Sequence, residues 1–394
     1  VTHSTRTCPV CLDGELRVFV EIQAFPVHCH LLRSSRQAAI EAPRGDIRLG
    51  YCAACGMIFN LAFDAARVSY AGVYENSLAG SPRFRAYAED LAAGLITRHG
   101  VYGKTVVEIG CGRAEFLALL CAAGDNRGVG FDPSETRGAA DEPRAAGLTI
   151  VREPYAAATA AGYAPDLVCC RHVLEHIASP ADFLRDVRTP LTGREGAIVF
   201  FEVPNGTATV RDLAIWDIIY EHCSYFTAPS LRRLFERTGF AVLDLRETFD
   251  DQFLCVEAAP GVPAATSSVD DLRLAELALG VSTFDERYRS KVAAWSERVS
   301  DLIRPGRRVV IWGAGSKTVT FVNVVPPAGA IDYVVDVNPR KHGTYVAGTG
   351  QQIVAPEFLG QYRPDTVLVM NRAYLGEIRD AIAGLGVDAC LVEV

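Results

Sequence analysis

The 394-residue chain lacks an excess of positive charge: 39 lysines and arginines stand against 47 aspartates and glutamates, a net charge of -8. With a pI near 5.6, it shows no overall basic footprint for nucleic acid. Also missing is an apolar run of the roughly 20 residues that a membrane-crossing helix needs. The opening Val1-Thr2-His3-Ser4-Thr5-Arg6 has no apolar signal-peptide core. No repeat at a solenoid period and no low-complexity tract interrupts the chain. These absences speak against nucleic-acid, membrane and secreted classes. They leave a cytoplasmic enzyme, monomeric or homodimeric, as the expectation. What is present is globular: 49% of residues are hydrophobic and 22% charged. The length exceeds one ordinary domain, so two or three units are expected.

Twelve cysteines raise the question of redox state. Cys111, Cys121, Cys169, Cys170 and Cys255 sit in apolar or chemistry-bearing segments and read as buried reduced thiols. Without a secretory signal, a disulfide framework is not expected. Cys8-Pro9-Val10-Cys11 and Cys52-Ala53-Ala54-Cys55 are different. Two Cys-x-x-Cys knuckles supply four thiolates, a closed tetrahedral set that leaves no position for water and is therefore structural zinc chemistry. The gap of about forty residues is longer than a compact zinc finger allows, so a small subdomain over 1–70 is expected. His28-Cys29-His30 lies inside that gap and reads as a competing ligand, a loop or a substrate contact.

From Thr105 onward short apolar strands alternate with helices. Thr105–Ile109, Gly128–Phe131, Leu167–Cys170 and Ala197–Val203 are strand candidates, and Glu115–Ala123, Pro180–Leu191 and Pro229–Thr238 helix candidates. Ser81-Pro82 reads as a cap and first residue of an earlier helix. Such alternation predicts a doubly wound parallel sheet, here over 71–260. Pro260–Ser268 reads as a linker, and a long helix is expected over Val269–Leu302. Strands at Arg308–Trp312, Ile331–Asp336, Thr366–Met370 and Ala389–Val392 then predict a second, smaller α/β unit over 261–394.

The strongest chemical signal is Val106-Val107-Glu108-Ile109-Gly110-Cys111-Gly112-Arg113-Ala114-Glu115. An apolar strand runs into a glycine turn and a helix. About 20 residues on, Asp132 ends the next strand, where a carboxylate can accept hydrogen bonds from both ribose hydroxyls. A dinucleotide turn would carry a third glycine or alanine and place pyrophosphate on the helix N-terminus. Here Glu108 and Glu115 flank the turn, which suits a cationic sulfonium and repels pyrophosphate. The segment resembles the first motif of class I methyltransferases, which implies S-adenosylmethionine as cofactor, with Glu108, Gly110, Gly112 and Asp132 contacting it. Glu153, after Ile150-Val151, is placed to meet the adenine.

Two further segments carry titratable groups beyond strand ends. Arg171-His172-Val173-Leu174-Glu175-His176 puts His172 and His176 four apart, on one face if the segment is helical. Arg171 beside them is a candidate cofactor contact. Tyr220-Glu221-His222-Cys223-Ser224 follows the strand Ala197–Val203. Methyl transfer needs a base on the acceptor and in-line alignment with the methyl group. A carbon acceptor beside a ketone also needs a group to steady the enolate oxygen. His222 as base, Tyr220 as hydroxyl donor and Glu221 as orienting group are one workable assignment.

The order of these parts resembles the sugar C-methyltransferases of antibiotic biosynthesis. There a four-cysteine zinc subdomain precedes a methyltransferase domain, and a Rossmann-like domain follows, opening here at Ile311-Trp312-Gly313-Ala314-Gly315-Ser316-Lys317. The resemblance covers nearly the full length. It implies zinc on Cys8, Cys11, Cys52 and Cys55, and an acceptor that is a nucleotide-linked keto-deoxysugar bound near Tyr220, Glu221, His222 and His176. The chain departs from that pattern in three places. One residue is missing between Tyr220 and Glu221, His172 stands where the family has asparagine, and Thr318 follows Lys317. A sister subfamily fits these departures, and O- or N-methylation of another small metabolite stays open. So do a non-catalytic zinc-stabilised binding protein and a dehydrogenase. The C-terminal turn with Lys317 suits a phosphate or carboxylate, and Asp336 a ribose, or the turn is purely structural.

Overall fold

The computed structural model describes residues 6–68, 74–134, 147–194, 196–262 and 268–394. Part of the expected linker, 263–267, lies outside the described residues. The middle sheet is built from β1 (Thr105–Ile109), β2 (Arg127–Phe131), β3 (Leu148–Val151), β4 (Leu167–Arg171), β5 (Ile198–Pro204), β6 (Phe240–Thr248) and β7 (Phe253–Pro260). Their order across the sheet is β6-β7-β5-β4-β1-β2-β3. The first five strands are parallel, and β7 is antiparallel between β5 and β6. This is the class I methyltransferase sheet.

The apolar runs of β1 and β4 do not alternate with polar residues because helices cover both faces. Val106, Leu167 and Phe200 pack on one side with Leu91, Leu95 and Leu117. Val107, Val168 and Phe201 point to the other, against Leu184, Leu231 and Leu234. The helix Pro82–His99 starts where Ser81 Oγ accepts the Phe84 N–H and ends at Gly100, φ 60°. Its far end is clamped to the sheet by Glu257 of β7. That carboxylate, 2% exposed, takes Arg98 at 2.5 Å, His99 at 2.6 Å and Arg246 at 2.6 Å. Burial alone would raise its pKa, but hydrogen bonds from Arg98, His99 and Arg246 outweigh it and hold it at about 2, below the usual 4.5. A depressed carboxylate stabilises the fold above its unfolded pKa, and that contribution is lost as pH falls from about 4.5 towards about 2. Glu257→Gln should therefore cost about 3 kcal/mol at pH 7, the scale of a broken buried pair. In urea melts the gap to the wild type should close as the pH is lowered through that window.

Before this sheet lies an antiparallel one, ordered Arg6–Thr7, Glu15–Pro26, Arg44–Cys52, Ile58–Asn60 and Ser224–Tyr225. The last strand comes from the middle of the chain and pairs Ser224 with Phe59. The Tyr220–Tyr225 segment is thereby stitched to the cysteine-bearing hairpin. After the middle sheet, the expected single helix is two: Ser268–Ser282 and Phe284–Leu302. The break falls at Thr283, where the Ser282 and Thr283 hydroxyls donate back to the Leu279 and Gly280 carbonyls. The third sheet is all parallel, ordered Gln352–Val354, Tyr333–Val335, Val309–Trp312, Thr366–Val369 and Cys390–Glu393. One apolar core joins the first sheet to the third: Phe25 and Ile47 share it with Trp295, Val299, Ile311 and Phe321. Among the described residues no helix is long and apolar enough to cross a membrane.

Candidate active site

The middle sheet reverses its winding between β1 and β4, and a crevice opens beyond their carboxyl ends. Gly110 (φ 66°) and Gly112 (φ 50°) form the turn after β1. A Cβ on Gly110 would lie 2.3 Å from Val173 Cγ2, so only glycine lets the loop after β4 close over this turn. Asp132 at the end of β2 accepts the Gly112 N–H at 2.6 Å through one oxygen and the Ser134 N–H at 2.9 Å through the other. Glu108 lies beneath the turn, 4% exposed, and accepts the Leu117 N–H at 3.1 Å. Burial pushes its carboxyl up to about 8. It buttresses the helix N-terminus from inside, which corrects the expectation that it faces a ligand. Glu153 is exposed beyond β3.

Arg171 likewise turns inward. Its guanidinium stacks over Phe116 at 4.2 Å and pairs with Glu202 at 2.8 Å. Glu202 of β5 is fully buried and also meets the Tyr87 hydroxyl and His172 Nε2, the latter at 2.8 Å. Burial would raise this carboxyl, but Arg171, His172 and Tyr87 hold it well below the usual range. His172 sits in the left-handed region at φ 53°, a conformation that costs energy for a residue with a Cβ. The helical face expected for His172 and His176 is absent: Leu174–His176 is a single 3-10 turn. Both histidines nevertheless reach the same cavity.

That cavity has a volume of about 1140 Å³. His172, Glu175, His176 and His222 line one side, and the Gly313–Lys317 turn with Asp336 and Asn338 the other. His176 Nδ1 lies 3.0 Å from the Glu221 carbonyl oxygen. A carbonyl only accepts, so Nδ1 carries the hydrogen in this contact. The His222 ring is 5.0 Å away, edge to face. Burial, and then the neighbouring His176, His30 and His172, push its pKa well below the ordinary 6.5. The imidazole is neutral and able to accept a proton.

Two expected participants lie elsewhere. Tyr220 is 1% exposed, packs under Gly45 and Phe63, and accepts the Asp64 N–H at 3.0 Å. Glu221 is fully buried and accepts His28 Nδ1 at 3.2 Å and the Cys29 N–H at 2.8 Å. Burial would raise the Glu221 carboxyl; the His28 bond and nearby imidazoles bring it below its usual value. Both side chains turn into the first sheet, where Tyr220 holds the Asp64 amide and Glu221 holds His28 and the Cys29 amide. The structure also adds Glu175 and Trp216, which sequence reading did not single out as chemical, and places His30 of the His28–His30 segment beside them. Glu175 Oε2, His30 Nδ1 and Trp216 Nε1 are buried with no hydrogen-bond partner among the described residues, and all three side chains line the cavity.

The four cysteines converge away from this cavity. Cys8 and Cys55 Sγ are 3.6 Å apart, as are Cys11 and Cys52 Sγ, and all four atoms lie within 4.8 Å of one another. A disulfide would need about 2.05 Å. Zinc–sulfur bonds of about 2.3 Å give tetrahedral edges near 3.8 Å, so the set fits a four-thiolate ion. Gly14 lets the hairpin pass the cluster, since a Cβ there would lie 2.4 Å from Cys52 Sγ.

The third sheet repeats the device at Gly112. Ala314 N–H donates to Asp336 Oδ2 at 2.7 Å, and Asn338 N–H to Oδ1 at 2.8 Å. Lys341 Nζ is 3.4 Å from the same carboxylate. Lys317 pairs with Asp217.

Residues 83–245 match the model of a methyltransferase domain, and residues 254–386 that of a C-methyltransferase C-terminal domain. The chain is an S-adenosylmethionine-dependent methyltransferase. It carries the C-terminal domain of C-methyltransferases. This methyltransferase is 29% identical over 297 residues to the C-methyltransferase NovU of Streptomyces niveus, spanning 71% of this chain and 69% of that protein. It is 32% identical over 117 residues to a ubiquinone biosynthesis O-methyltransferase of Ralstonia nicotianae, spanning 29% of this chain and 48% of that one. Among solved structures, a S-adenosylmethionine-dependent methyltransferase of Mesorhizobium loti aligns at 19% identity and TM-score 0.34, covering 44% of this chain and 97% of its own. One from Aquifex aeolicus aligns at 13% and TM-score 0.33, covering 43% and 89%.

Proposed function

We propose that this methyltransferase alkylates a carbon beside the keto group of a nucleotide-linked deoxysugar, with a structural zinc on Cys8, Cys11, Cys52 and Cys55. The observation that carries the reading is a half-buried histidine, His222, held in its neutral form at the wall of a cavity about 1140 Å³ in volume. Either acceptor needs a base to take its proton, and the C-terminal domain of C-methyltransferases favours the carbon one. The Gly313–Lys317 turn, tied by Asp336 at the end of the neighbouring strand, lines this cavity, and the turn after β1 is tied in the same way by Asp132. One turn suits the donor's ribose, and the other suits the nucleoside of a long acceptor. NovU, named as a C-methyltransferase, supports the carbon acceptor by similarity alone.

In this mechanism Gly110, Gly112 and Asp132 hold the donor. S-adenosylmethionine supplies an electrophilic methyl group on a sulfonium. His222 takes the proton from the carbon beside the carbonyl, and the electron pair moves onto the carbonyl oxygen. It returns through carbon to the methyl group as the sulfur–methyl bond breaks, leaving a neutral thioether and a protonated His222 that releases its proton to water. His172 and His176 line the path. The test is hydrogen exchange in D2O with a thymidine-diphospho-keto-deoxysugar. The expected result is exchange at the carbon beside the ketone without methyl donor, and methyl incorporation there with it. Methyl transfer to oxygen, or no exchange, overturns the carbon acceptor.

A further inference from the structure

With Tyr220 turned away, nothing yet described steadies the enolate oxygen. We propose that Glu175 is the catalytic acid, a carboxyl that donates its hydrogen to the acceptor's carbonyl oxygen while His222 removes the proton from carbon. This role rests on the carbon-acceptor reading above.

Three features of the geometry support it. Glu175 is 1% exposed, yet it lines the cavity. Its Oε2 has no hydrogen-bond partner among the described residues. A buried polar atom left unmatched costs on the order of 1–3 kcal/mol, and a group that the substrate completes explains its retention. Thirdly, its carboxylate oxygen and the ring nitrogens of His176 and His222 lie within 4.8 Å of one another. One small carbonyl-bearing group can therefore meet both acid and base. The Glu175 backbone is itself held, since its carbonyl accepts the Cys223 thiol at 3.4 Å. That bond joins the 3-10 turn carrying Glu175 to the segment carrying His222.

The chemistry also favours a protonated carboxyl. Burial raises its pKa, and His176 and His172 only partly oppose this. His172 Nδ1, 3.8 Å from Oε1, is too distant for a hydrogen bond and leaves the carboxyl without the tight cationic clamp that Glu202 has. A neutral acid in an apolar setting is a stronger donor to a developing oxyanion than to a neutral ketone, so it acts mainly in the transition state. The proton stays on or returns to Glu175 when the carbonyl re-forms, and the net reaction still releases one proton.

The test compares wild type, Glu175→Ala and Glu175→Gln. Glu175→Ala should lower kcat about 100-fold with KM little changed, the usual size of one lost oxyanion donor. It should slow hydrogen exchange at carbon by a similar factor. Glu175→Gln keeps an N–H donor of the same shape and should recover most of that loss. S-adenosylmethionine affinity, measured by calorimetry, should be the same in all three. If Glu175→Ala turns over and exchanges like wild type, Glu175 has no such role. A second metal equivalent beyond the thiolate site, present in wild type and lost in Glu175→Ala, also overturns it, because the cluster would then be a metal site. Wild type that exchanges no proton with the keto-sugar nucleotide overturns the carbon-acceptor reading, and this role with it.

Discussion

Replacing Cys52 with serine should leave the first sheet unable to hold the zinc proposed for its four thiolates. Cys52 ends one long strand of the hairpin, and Cys8 and Cys11 are reached only through the loop before the other. At that end Val10, Leu16 and Met57 join the cysteines to the apolar cluster that also packs the middle sheet. A four-thiolate zinc contributes on the order of 10 kcal/mol to the folding of small domains. The effect will reach the active site, because Cys223 and Ser224 continue this sheet: the Asn60 N–H donates to the Cys223 carbonyl at 2.9 Å. His222 is the residue before. Native mass spectrometry should find one zinc in wild type and none in Cys52→Ser. Thermal melting should fall by more than 10 °C, given about 2–4 °C per kcal/mol for units of this size. An unchanged melt with full metal content would remove zinc from the account.

Much of this architecture was legible because local chemistry and tertiary structure agree. Glycines at 110 and 112, the Ser81-Pro82 cap and the paired cysteines each impose a geometry through covalent constraints or a single ligand. Strands β6 and β7 were missed. Leu245 and Arg246 point to opposite faces, yet β6 is half exposed at the sheet edge, so its pattern lacks the solid apolar block of β1. The active site was legible in outline only. Tyr220 was misread because what claims it, Gly45, Phe63 and the Asp64 amide, lies more than 150 residues earlier. Spacing in sequence contains no information about that contact. The shared helical face of His172 and His176 failed for a related reason. Glu202, on another strand, anchors His172 in a left-handed conformation that ends any helix there. Glu175 went unremarked because a lone glutamate beside a histidine signals nothing until burial leaves its oxygen unmatched.

His222→Ala should reduce kcat by about a thousandfold, within the range for loss of a positioned general base, while S-adenosylmethionine binding is retained. The separation follows from placement: the residues proposed to hold the donor, Gly110, Gly112 and Asp132, lie at the ends of β1 and β2, whereas His222 belongs to the segment joined to the first sheet. The pH dependence then fixes the assignment. His222 must be neutral to act, and its pKa is pushed well below 6.5. The acid limb of kcat/KM should accordingly lie below the ordinary imidazole range. Glu175 must be protonated, and its pKa is raised above 4.5. Activity should therefore decline as pH rises through that elevated value, and Glu175→Gln should abolish this alkaline limb while leaving the acid one. An acid limb at or above 6.5 would point instead to a solvated histidine as base and would move His222 out of the chemical step.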